Sequence, residues 1–325
     1  MSNNLFRKGL IFLPDNIHKT SVGGQAVIEG VMMRGPKEMA VAVRKSDGEI
    51  VVDKKPVNTL AMRHKIFRLP ILRGVINFFE SMVVGVRSLM FSAEFFDIEG
   101  EEDDKPSRLD DWMNRVFGDK IKDVVIYFSV FLSVIFATLL FVLLPAYLSG
   151  LLRKIITEHV WIVIIEGFVR IAIFMTYIIL VSRMKDIQRV FMYHGAEHKT
   201  IHCYEHCEEL TVENVKKYTR LHPRCGTSFL LIVMIICIFV FMFITSDNTL
   251  LRLLYRILLL PVVAGISYEI IKLAGRYDNP FTRIISKPGM WLQYFTTREP
   301  DDSQIEVAIV SLENAVTGNR EDDKW

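Results

Sequence analysis

The fourteen residues Tyr193–His206, YHGAEHKTIHCYEH, carry four of the chain's eight histidines. Read as a helix, His194, His198 and His202 follow at i, i+4 and i+8, so their imidazoles stand on one face, one turn apart. Glu197 falls inside the pattern and gives His-x-x-Glu-His, the spelling of a zinc-protease helix in inverted order. Nitrogen and thiolate donors that converge on one point hold a metal ion, and a carboxylate beside them can activate water. Downstream, His222-Pro-Arg-Cys225 offers one more nitrogen and one thiolate. His194, His198, His222 and Cys225 are therefore a candidate ligand set for a divalent metal, zinc above all, with Glu197 as general base. Cys203 and Cys207, also at i, i+4, compete: with His222 and Cys225 they would close a structural zinc site. His202 and His206 could join either set. Glu269 is a possible distant carboxylate for the inverted motif. The plain alternative is a surface helix whose histidines meet solvent or lipid phosphates.

The elements that must position these residues are largely apolar. Of 325 residues, 51% are hydrophobic, and the mean hydropathy of +0.29 is high for a soluble protein. A net charge of +2 gives no polyanion-binding signal, and no sequence-specific nucleic-acid module is expected. The four cysteines, three of them near the histidines, fit reduced thiols or ligands better than a disulfide framework. The N-terminus reads as no cleaved signal peptide, because its apolar stretch is very short before Pro14.

Four apolar segments read as spans: 124–152, 160–181, 226–246 and a weaker one near 250–271, interrupted by Pro261. In the last, Arg252 and Arg256 would have to snorkel. The second span holds Glu166 and Arg170, a mutually neutralising i, i+4 pair or a transport element. Residues 73–96 predict a helix with Arg73, Glu80, Arg87 and Glu94 in one polar stripe, lying at the membrane interface or against the bundle, or else spanning with its stripe facing the bundle. In AVAVRKSDGEIVV, Asp47-Gly48 marks a hairpin. Lys and Arg flanking the spans put the N-terminal region, the histidine-rich loop and the C-terminus on the cytoplasmic side. His194 lies about twelve residues past the second span, roughly 18 Å along a straight helix, which sets the site outside the hydrocarbon.

The expected architecture is a mainly α-helical polytopic membrane protein with about four transmembrane helices. Residues 1–72 form a small cytoplasmic β-rich domain and 73–96 the interfacial amphipathic helix. Residues 97–122 are an acidic linker and pre-membrane helix. Residues 123–272 are the bundle, with a cytoplasmic His/Cys-rich loop at 183–225, and 273–325 a C-terminal cytoplasmic segment. Within that segment Ser303-x-x-Glu306 reads as a capping box opening a helix to about Val316. The final GNREDDKW reads as disordered.

Five separated stretches, GGQAVIEGVMMRGP, PILRGVINFFES, YHGAEHKTI, HPRCGTSFL and FTTREPDDSQIEVAI, together resemble the YqhQ-like family of uncharacterised bacterial membrane proteins. The resemblance implies a metal-dependent enzyme, on the strength of the same histidine motif. It implies motif roles for Glu29, Arg34, His194, Glu197, His198, His222, Arg224 and Cys225, and favours the His194/His198/His222/Cys225 set over the cysteine-rich one. The functional expectation is a cytoplasm-facing metal site, a hydrolase acting at the membrane surface. The alternatives are an accessory factor that binds membrane-protein partners such as translocation machinery, and a transporter. The bilayer itself and a second copy of the chain are the other expected partners.

Overall fold

The computed structural model describes residues 18–96, 121–152, 155–156, 158–246, 248–277 and 279–324. The acidic stretch read at 97–111 lies outside them.

Four strands form an antiparallel meander, β1 (Gly23–Val27), β2 (Gly30–Arg34), β3 (Glu38–Arg44) and β4 (Ile50–Pro56), ordered β1-β2-β3-β4. The β3–β4 turn is the Asp47-Gly48 one, with Gly48 at φ 90°. Side chains alternate across the sheet. Val31, Met33, Ala40 and Ala42 enter one core, and Val27, Met32, Val41 and Val43 enter another. Both faces are covered, so the strands read as unbroken apolar runs. A one-turn α1 (Leu60–Arg63) leads to α2 (Leu72–Ala93), whose end packs Val84 and Phe91 on the second face.

The bundle follows. Helix α3 (Ile121–Thr138) passes through a π turn, Leu139–Leu143, into α4 (Leu144–Leu151). Pro145 explains the turn: its ring excludes the hydrogen bond to the carbonyl four residues back, that of Phe141. Arg170 Nε takes that carbonyl at 2.9 Å. Next come α5 (His159–Val181), α6 (Lys185–Glu205), α7 (Val212–Lys216), α8 (Gly226–Phe241) and α9 (Thr249–Arg276). Helix α9 runs unbroken through Pro261. The region read as a His/Cys-rich loop is thus mostly helix α6. The C-terminal segment contributes α10 (Pro280–Thr296) and α11 (Asp302–Ala315). Helices α6 and α11 cover the first face of the sheet, with Tyr193, Ala196, Ile305 and Ala308 in its core.

Among the described residues, four helices are long and apolar enough to cross a membrane: Leu72–Ala93, Phe131–Leu151, His159–Val181 and Leu250–Arg276. They are compatible with a multi-pass membrane protein. They differ from the expected four in one member. Helix α8, read as a clean span to residue 246, has 16 residues, about 24 Å of helix. Helix α2, read as interfacial, is long enough instead. The first half of its stripe faces protein, where Arg73 pairs with Glu269 of α9 and Glu80 accepts the Leu60 backbone N–H at 2.6 Å; Arg87 and Glu94 are exposed.

Four further expectations are corrected. Arg252 and Arg256 do not snorkel; both are buried. Arg256 Nη1 meets Glu166 Oε1 at 2.7 Å, and Arg170 Nη2 meets the same oxygen at 2.9 Å, so the expected pair is a triad of two cations and one anion. The capping box of α11 is Asp301 with Gln304, two residues before the one read. The tail is ordered through residue 324: Asp323 is buried and accepts the Tyr204 hydroxyl at 2.5 Å. It also lies 2.6 Å from His18 Nε2.

Candidate metal centre

Helix α6 buries Glu197, His198, His202 and Glu205 of the opening stretch and leaves His194 half-buried. Its sequence alone would not sink them; the sheet, α10 and the 218–225 segment close over it. Backbone groups then fix the rings. His194 Nδ1–H donates to the Thr296 carbonyl at 2.8 Å, and His198 Nδ1–H to the Arg220 carbonyl at 2.6 Å. These bonds define the tautomers, since a carbonyl can only accept. Each ring is left with an Nε2 lone pair. That of His194 points to Cys225 Sγ at 3.2 Å. That of His198 is buried with no hydrogen-bond partner.

Donor atoms of His194, His198 and Cys225 lie within 4.8 Å of one another. Cys225 is the N-cap of α8, and its sulfur accepts the Thr227 N–H at 3.4 Å. Burial opposes ionisation of this thiol, while the Thr227 N–H and hydroxyl beside the sulfur favour the thiolate. Burial pushes His198 down to about 4, which keeps it neutral with its lone pair available.

Glu197 sits about one turn after His194 and immediately before His198. Its Oε2 is buried without a partner, and burial pushes its carboxyl up to about 8. Strand β1 approaches it closely: a Cβ on Gly24 would stand 2.9 Å from Glu197 Oε1. Only glycine lets the sheet close over this carboxyl.

His222 is not in this group. It joins a second buried cluster, His202, Glu205 and His222, whose donor atoms also lie within 4.8 Å of one another. Glu205 bonds Arg224 and accepts the Thr20 N–H at 2.9 Å. His202 Nε2–H donates to the Leu221 carbonyl at 2.9 Å. The His222 ring centroid is 4.7 Å from that of His202 and 5.5 Å from that of His198, so it bridges the two clusters. The reason is the Gln293 side chain, which clamps the His222 backbone N–H and C=O at 2.8 and 2.7 Å. The competing cysteine set does not assemble. Cys203 is in the core on the opposite side of α6, and Cys207 is exposed beyond the helix end. His206 is in neither cluster; its Nδ1–H donates to the backbone carbonyl of His202. Glu269 is engaged by Arg73. Glu29 binds Arg189 and Tyr193, outside the centre.

Sequence reasoning missed Glu205 and the carbonyls of Thr296 and Arg220. Glu205 follows His202 at i+3, a usable spacing. The carbonyls come from sequence-distant segments and leave no local signal.

The family described as "Protein of unknown function (DUF1385)" matches residues 69–318. The chain belongs to this family. It is also similar to the "Uncharacterized protein YqhQ" of Bacillus subtilis (strain 168), 37% identical over 295 residues, 89% of this chain and 90% of that one. No solved structure matches.

Proposed function

We propose that this chain is an integral membrane metalloprotein, with His194, His198 and Cys225 as metal ligands and Glu197 as the general base of a hydrolase working at the cytoplasmic membrane surface. The observation that carries the reading is the pair of imidazoles with Nδ1–H groups pinned by backbone carbonyls and Nε2 lone pairs directed toward one thiol. Ligand histidines are oriented in this way, through the nitrogen that does not bind. The His198 lone pair is buried and unpartnered, a costly arrangement that a metal ion would satisfy. Two nitrogens and one sulfur suit zinc. Three protein ligands leave a coordination position open, as in catalytic rather than structural sites.

Bound there, the ion would supply Lewis-acid activation of a water or of a substrate carbonyl or phosphoryl oxygen. The protein's own part is separable from that. Thr296 and Arg220 hold the rings in register. Burial excludes bulk water. Glu197 offers a carboxyl oxygen with no competing partner among the described residues; a cation bound beside it would favour its ionised form, which could then take a proton and pass it to a leaving group.

Elemental analysis of the purified full chain tests the reading. The expected result is stoichiometric zinc or another transition metal, lost in His194→Ala and His198→Ala. A metal-free protein that binds no added zinc, cobalt or manganese overturns it.

A further inference from the structure

Helix α10 is sorted inside out. The side it turns to the protein carries Thr282, Ser286, Gly289, Gln293 and Thr296, all buried, with Leu292 the apolar exception. The side it turns outward carries Phe281, Ile284, Trp291 and Tyr294, which are 70%, 63%, 68% and 55% exposed. A helix in water does the reverse. Small and polar residues between helices with apolar residues outside is the arrangement of helices solvated by lipid. The inner contact is intimate: a Cβ on Gly289 would collide with Ser228 of α8.

Charge specifies the surroundings further. Helix α10 has no acidic residue, and its two cations, Arg283 and Lys287, are both exposed. Basic residues beside Trp, Tyr and Phe are the composition of a helix lying in the interfacial layer of an anionic bilayer. Two of the helices it packs against, α5 and α8, also expose apolar residues, Phe168, Leu180 and Leu230 among them.

We infer that α10 is a membrane-seated interfacial helix, its Phe281–Ile284–Trp291–Tyr294 face among acyl chains and its Arg283 and Lys287 at anionic headgroups. The inference rests on the membrane part of the proposed function and not on the metal. It adds the depth of the centre. Thr296 holds His194 and Gln293 holds His222, so the candidate metal centre is anchored to the headgroup layer, within reach of a substrate that itself resides in lipid.

Depth-dependent fluorescence quenching tests this on the full chain reconstituted in vesicles of phosphatidylcholine and phosphatidylglycerol with brominated acyl chains. One variant, with Trp112→Phe, Trp161→Phe and Trp325→Phe, leaves Trp291 as sole fluorophore. A second, with Trp112→Phe, Trp291→Phe and Trp325→Phe, leaves Trp161, exposed on α5, as the insertion control. The expected result is loss of Trp291 emission with bromolipid, strongest for bromines near the headgroup, and protection from aqueous iodide. Iodide quenching of Trp291 while Trp161 responds to bromolipid overturns the inference, because the face is then in water. Protection of Trp291 from both quenchers while Trp161 responds also overturns it, because protein then covers the face. If neither tryptophan responds to bromolipid, the membrane reading itself falls and the metal reading survives.

Discussion

His194 and Cys225 are 31 positions apart in sequence, yet His194 Nε2 lies 3.2 Å from Cys225 Sγ. One belongs to the middle of α6 and the other caps the start of α8, so the contact joins the sheet-covered helix to the bundle. If the sulfur is a ligand, Cys225→Ser should weaken zinc binding by more than about 100-fold, since losing even an outer-shell partner costs about 10–100-fold. Cys207→Ser, at an exposed position, should leave it unchanged. Competition with a chromophoric chelator measures both, and equal affinities would remove Cys225 from the site.

Glu197→Gln separates a base from a ligand. The carboxyl is buried with one oxygen unpartnered, so the neutral amide should keep the fold, with a stability change within about 1 kcal/mol. Bound metal should be retained, and turnover, once a substrate is found, should fall about 100-fold or more. Loss of metal in this variant would make Glu197 a ligand instead.

The second cluster predicts acid lability. Burial pushes His222 down to about 3. Burial alone would raise Glu205, but His222 and Arg224 outweigh it and hold the carboxyl well below its usual range. Both folded-state values are depressed, so the unfolded chain binds more protons as pH falls, and stability is lost in that direction. The decline should begin as pH drops through about 6.5, from His222, and steepen below about 4.3, from Glu205. Thermal unfolding in detergent across that range checks it. Glu205→Gln should be less stable near neutrality and lack the second, steeper part.

The triad in the bundle has a sign. Glu166→Gln leaves Arg170 and Arg256 buried together without their anion and should cost about 3–5 kcal/mol. Arg256→Gln leaves the Glu166–Arg170 pair intact and should cost less. Chemical unfolding in lipid bicelles compares them, and equal losses would show that the charges do not act as a set.

The sheet hairpin, α2, the first two apolar bundle helices and the two halves of the His194, His198 and Cys225 group were legible because each is written locally, in period, turn residues or spacing. Helix α10 was not. Its KPGM stretch, with Pro288 and Gly289, reads as a break, and its outward apolar residues are diluted by the small polar ones that pack inward. The partition of the histidines was not legible either. His222 differs from His194 only in what its backbone is tied to, and Gln293, 71 positions away, decides that. Asp323 is hidden the same way: an acidic tail reads as solvated until Tyr204 and His18 are folded against it.

That tie has a consequence for the order in which the chain can be built. The Ser21 N–H bonds the Asp323 carbonyl, and Thr20 pairs with Lys324 across a β-bridge. Thr296 and Gln293, which orient the two histidine clusters, also come late. A ribosome that has made every span through Arg276 has made none of these. The strands emerge first but are sealed only once residues 293–324 have been added, so the centre is completed late. A prematurely terminated chain would carry its spans and every proposed metal ligand, with the histidines unoriented.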